Sequence, residues 1–113
     1  MATYPHVFQP LAIGGCTIPN RIVRTAHSTG THGEDLIAYH EARARGGVGL
    51  AIIEIAGVTP QSATGIPVYS DQVLPFYENL AARLHPHGTQ VFQQLWHGGT
   101  TYARNAAVRP IGP

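Results

Sequence analysis

Residues 46–53 read Gly46-Gly47-Val48-Gly49-Leu50-Ala51-Ile52-Ile53, and the fold turns on this octet. A continuous apolar run with β-branched residues, bounded by glycine, reads as a strand buried on both faces. Such strands belong to parallel sheets covered by helices. The Gly46-Gly47 pair closes whatever helix precedes it, because left-handed geometry costs little only for glycine.

Upstream, Leu36, Ile37, Tyr39 and Ala44 form an apolar stripe that predicts a helix over 34–45. Thr31 and Glu34 have the spacing of a capping box, and Glu41 can pair with Arg45 one turn on. Residues 21–25 open with Arg21-Ile22-Val23 and predict a short strand, followed by a polar loop over 27–33. Farther back, Gly14-Gly15 suits a two-residue hairpin turn, so a hairpin is expected over about 7–19, bracketed by Pro10 and Pro19.

Downstream, the octet extends to a strand over 48–54, and residues 56–70 read as loop on account of Gly57, Pro60, Gly65 and Pro67. Ser70 or Asp71 can cap a helix over 72–85, whose stripe is Val73, Phe76, Tyr77, Leu80 and Leu84. Pro75 is tolerated in its first turn, and Pro86 with Gly88 ends it before a strand over 90–96. No element is predicted after Gly98-Gly99. The class is α/β: a hairpin, then β-α-β-α-β. Parallel strands joined by helices bring their C-terminal ends to one face, where such folds build binding sites. Three strands cannot close a barrel or bury both faces of a sheet, so the 113 residues read as the opening part of a larger catalytic domain. An independent small α/β binding module, or a truncated piece without activity of its own, is the alternative.

Composition narrows the chemistry. Charged residues make up 12 %, about half the usual share, which suits a segment covered by neighbouring parts. The net charge of +1 and the lack of a basic run argue against nucleic acid and anionic membranes as partners. All seven basic side chains are arginine, which excludes a Schiff-base or P-loop lysine. The lone Cys16 reads as a packing thiol, and with no visible signal peptide the expected location is the cytoplasm. The seven histidines show no metal-ligand spacing, so no metal site is expected.

Gln94 stands out among the candidate functional residues. It shares a strand face with Phe92, and its amide needs partners, either a ligand with an amide-like edge or neighbouring backbone. Gln93 faces the other way and reads as structural. Residues 25–29 place hydroxyls, an imidazole and small side chains at the end of the first strand. Glu54 abuts the second strand and is expected to pair with an arginine. Trp96 can line a pocket or fill a core.

Several stretches, in order, resemble one family. They are Phe8-Gln9-Pro10-Leu11 with Ile13-Gly14-Gly15, Asn20-Arg21-Ile22-Val23, the run 37–44 (Ile-Ala-Tyr-His-Glu-Ala-Arg-Ala), and Gly46-Gly47-Val48-Gly49-Leu50. Val58-Thr59-Pro60-Gln61 and Gln94-Leu95-Trp96-His97-Gly98-Gly99 complete the series. Each alone is weak, but together they resemble the old yellow enzyme or NADH:flavin oxidoreductase family, including its 2,4-dienoyl-CoA reductase-like branch.

The resemblance implies the N-terminal portion of a (β/α)8 TIM barrel with FMN at its C-terminal mouth. The implied protein is an FMN-dependent oxidoreductase, taking hydride from NAD(P)H and passing it to an enone-like or related substrate. It places Thr25, Ala26 and His27 along the flavin through their backbone, and Ser28 near its O4 and N5. Ile55 contacts the flavin through backbone, Gln94 bonds its pyrimidine edge, and Trp96 faces the substrate pocket. A Ser28 hydroxyl donated to the flavin would favour its reduced form. No catalytic residue falls within the chain. The chain departs from the family where Ala26-His27 replaces a common Pro-Met, where Ile55 replaces a Gly or Ala, and where Thr100 stands in place of an Arg.

Overall fold

A computed structural model describes residues 3–62 and 65–99; Thr100 lies outside the described residues. Strands β1 (Leu11–Ile13) and β2 (Cys16–Ile18) form an antiparallel hairpin about Gly14-Gly15, with Ile13 opposite Cys16. It is shorter than the 7–19 expected, and Ile18 at its end is fully buried. The main sheet is built on β4 (Leu50–Gly57), with β3 (Val23–Arg24), β5 (Ile66–Pro67) and β6 (Gln90–Trp96) all pairing parallel to it. Helix α1 (Gly33–Arg45) connects β3 to β4, and α2 (Leu74–Leu84) leads into β6.

The first strand is confined to two residues, and Asn20 explains its start. The Asn20 carboxamide donates to the Gly47 carbonyl at 2.9 Å and accepts from the Ile22 amide at 3.0 Å, clasping the two chain segments. Gly49 packs against this clasp. A Cβ there would lie 2.6 Å from Asn20 oxygens, so the glycine is required by contact and not by its torsion. The octet therefore enters the sheet at Leu50, two residues later than expected, and the strand runs on to Gly57.

Alternation along β4 divides the core. Ala51 and Ile53 pack with Ile37 and Ala44 of α1 and Leu80 and Leu84 of α2. By strand periodicity Leu50, Ile52 and Glu54 take the opposite, inner face. The register Leu50↔Gln90 and Ile53↔Gln93 puts Val91 and Gln93 on the helix side and Gln94 on the inner side. Val91 and Tyr77 indeed pack against the helix-side core.

Three local expectations are corrected. Thr31 does not cap α1, because its hydroxyl is engaged by that of Thr29 at 2.8 Å, and the N-cap residue His32 makes no side-chain cap bond. Glu41 pairs not with Arg45 but with Arg83 on α2, whose Nε donates to it at 2.8 Å. The other Arg83 contact is with Glu34, so one guanidinium ties both helices together. The 56–70 loop contains a 3-10 turn at Pro60–Ser62 and the strand β5, and Gly65 lets β5 approach β4. Ser70 caps as expected, accepting from the Gln72 amide, though it opens a 3-10 turn ahead of α2.

Candidate functional site

The C-terminal ends of β3, β4 and β6 lie at one end of the sheet, since all three run parallel. Residues 25–28 leave β3, Ile55 belongs to β4, and Gln94 and Trp96 belong to β6. Ser28 and Ile55 line a common cleft of about 520 Å³, together with His32, Glu54, Ile66 and Phe76. Thr25, His27, Ser28 and Gln94 are exposed, and Ala26, Ile55 and Trp96 are half-buried. Gln94 and Trp96 are not among the cleft residues; they stand on the neighbouring strand at the same sheet end.

The two glutamines of β6 have opposite fates. Gln93 is fully engaged: the Tyr77 hydroxyl donates to its Oε1 at 2.6 Å, and its Nε2 donates to the Glu54 and Gln94 carbonyls. Burial pushes the Tyr77 phenol up to about 12, so it stays a donor across the physiological range. Gln94 is exposed, and among the described residues no group hydrogen-bonds its carboxamide. Sequence periodicity identifies this face; the supporting bonds of Gln93 depend on α2.

Glu54 is only 6 % exposed, inside β4 and not past its end. Its expected arginine partner is replaced by the loop after β3. Thr29 donates to its carboxylate through both the amide (3.3 Å) and the hydroxyl (2.9 Å), and the Ser28 hydroxyl is turned towards it at 3.5 Å. Among the described residues Glu54 has no ion pair, so neutral donors satisfy it. Without a ligand, Glu54 is the acceptor that the Ser28 hydroxyl faces.

Sequence reasoning missed Arg24, which is 8 % exposed within β3. Its Nη1 donates to the Thr25 carbonyl at 2.5 Å and more distantly to Ile52 on β4 at 3.4 Å. Its Nη2 donates to the His27 carbonyl at 3.2 Å and lies 3.3 Å from His27 Nε2. An arginine can only donate, so a hydrogen bond here requires His27 Nε2 as the acceptor; Nδ1 lies 3.4 Å from the Thr25 carbonyl. A lone charge inside Ile22-Val23-Arg24 was the available signal. His32 and Phe76, cleft residues from α1's cap and from α2, carried no such signal.

Comparison with known proteins places this arrangement. A family model described as NADH:flavin oxidoreductase / NADH oxidase matches residues 6–111. An NADH oxidase of Thermoanaerobacter brockii is 35 % identical over 125 aligned positions, covering all of this chain and 19 % of the relative. An N,N-dimethylglycine/sarcosine dehydrogenase of Chromohalobacter salexigens is 34 % identical, over 82 % of this chain and 15 % of its own length. The old yellow enzyme of Trypanosoma cruzi superposes with a TM-score of 0.75 at 30 % identity, covering 88 % of this chain and 29 % of that structure. The chain therefore spans less than a third of the relatives it matches. Its fold is a partial (β/α)8 barrel of the old yellow enzyme kind. Among the described residues no helix is long and apolar enough to cross a membrane.

Proposed function

Since the chain belongs to the NADH:flavin oxidoreductase / NADH oxidase family, we propose that it forms one wall of an FMN site in an NAD(P)H-dependent oxidoreductase. The observation that carries this reading is the place of Gln94, exposed at the parallel strand ends where residues 25–28 and Ile55 also lie. The donor set fits the group: an amide edge for the pyrimidine ring, small residues at Ala26 and Ser28 for close approach, and backbone at Ile55. Bound FMN would supply two-electron transfer between a nicotinamide and the substrate. Within this chain, Gln94 would hold and orient the ring edge, and residues 25–28 would border it. Trp96, on the same inner face as Gln94 by periodicity, would limit the substrate side.

The substrate is an enone-like small molecule in this reading. A second reading, oxidation of an N-methylated amine, is favoured by the relative named for N,N-dimethylglycine and sarcosine. A cytoplasmic location goes with both, and neither calls for nucleic acid or a membrane as partner. The test is titration with FMN of protein that carries the whole barrel, followed by Gln94→Ala. Wild-type protein is expected to turn yellow and to bleach with NADH or NADPH, and the variant to bind FMN about tenfold or more weakly, as loss of a ligand hydrogen bond predicts. Recovery of colour with an enone, or bleaching by the amine without nicotinamide, separates the two substrates. Unchanged FMN affinity in the variant would remove Gln94 from the site.

A further inference from the structure

Arg24 is a buried cation without a carboxylate partner among the described residues, an arrangement that costs free energy unless something else compensates. Three backbone carbonyls do so, those of Thr25, His27 and Ile52. The ring of Tyr39 on α1 lies beneath the guanidinium, with its centroid 5.2 Å from Cζ. Two of the three carbonyls belong to the single stretch that follows β3. They are two residues apart, and the planar fork reaches both.

We infer that Arg24 is the positioning residue of the strand-end segment 25–28: from the helix side of the sheet it sets the backbone that the proposed flavin site presents on the other. The inference rests on the flavin reading for what the segment borders, but not for what shapes it. Arg24 pairs with Ala51 in the β3–β4 register, and Ala51 faces the helices, so the guanidinium lies behind the site and does not enter it. Thr25, His27 and Ser28 stay exposed while their carbonyl side is tied back. The segment has little else to hold it. Its residues fall outside any strand or helix, and Glu54 holds only its last residue, Ser28, and the next one, Thr29. The Ile52 contact joins the segment's geometry to β4, the strand that carries Ile55. Lysine cannot replace this function, because a single ammonium does not span two carbonyls in fixed directions.

Hydrogen exchange on flavin-free protein tests the segment by itself, using Arg24→Met and Arg24→Lys. Both variants are expected to exchange the amides of residues 25–28 about tenfold or more faster, with α2 and β6 protected as in the wild type, since the charge-assisted bonds lost go to Thr25, His27 and Ile52 and none to α2 or β6. FMN titration of the same two variants in the whole-barrel protein is expected to show about tenfold weaker binding in both. Wild-type exchange over 25–28 in Arg24→Met overturns the inference. So does uniform loss of protection through α2 and β6, which means Arg24 merely stabilises the fold. Arg24→Lys matching the wild type in both measurements overturns the role of the fork. Wild-type whole-barrel protein that takes up no FMN, with the local exchange result intact, overturns the flavin reading and leaves Arg24 as the residue that shapes the segment.

Discussion

His40, on the buried face of α1, has no hydrogen-bond partner for either ring nitrogen among the described residues. Burial, reinforced by the neighbouring Arg24 charge, lowers its pKa to about 4, although Glu54 acts in the opposite direction. The unfolded chain titrates this ring near its ordinary value of about 6.5. Above that pH both states are neutral and the full stability is present. As pH falls from about 6.5 towards about 4, only the unfolded state takes up the proton, so stability declines, by roughly 3 kcal/mol in all, and then levels off. Urea denaturation across this range should show the decline, and His40→Leu should flatten it. An equal slope in the variant would assign the loss to other groups. Residue chemistry of this kind was half visible in sequence: Gln94 was marked by its strand parity, whereas His40 and Arg24 sat in segments read for their apolar neighbours.

At the level of elements, β5 depends on a single glycine. Gly65 adopts φ +68°, and a Cβ there would sit 1.9 Å from the Ile55 carbonyl oxygen. Both the torsion and the contact forbid a side chain, so Gly65→Ala must push β5 away from β4. Because Gly65, Ile66 and Pro67 line the same cleft as Ser28 and Ile55, the cleft should open as well. The expected outcome is a stability loss of about 2 kcal/mol or more, with exchange protection falling first at the Ile66 amide region and only later in α2. A variant with wild-type stability would show that β5 is dispensable. The helix pair rests on different forces: Leu80 and Leu84 meet Ile37 and Ala44 in the core, and Arg83 joins Glu34 and Glu41 at the rim. Sequence gave away α1, α2 and β6 because apolar spacing is a local signal. It did not reveal β5, whose two residues pair only because β4 is already there.

For the molecule as a whole, the inner face of the sheet is the open question that the family membership answers. Val23, which pairs with Leu50 on that face, is 40 % exposed, and the hairpin residues Leu11 and Ile13 add further uncovered apolar surface. A (β/α)8 barrel needs about 250 residues, and its inner face is normally covered by the opposite strands. Residues 1–113 expressed alone should therefore bind the dye ANS strongly and hold no stoichiometric FMN, since one wall offers too few contacts to offset the ordering cost of binding. Weak dye binding together with tight FMN uptake would show that these elements form a sufficient site by themselves.

Composition, periodicity and the order of the elements follow from local physics: apolar residues at intervals of 3.6 or 2, glycines where the chain must turn, a cap where a helix starts. Those features alone determined the α/β class, the three long elements, the hairpin and the parity that puts Gln94 opposite Gln93. The tertiary structure decided who satisfies whom. Glu54 found Thr29 instead of an arginine, Glu41 found Arg83 across the helix pair, and Arg24 found the carbonyls of the segment beside it. The reason is that a buried polar group takes whichever partner the packed chain brings within about 3 Å, and that proximity is a property of the fold and not of spacing along the sequence.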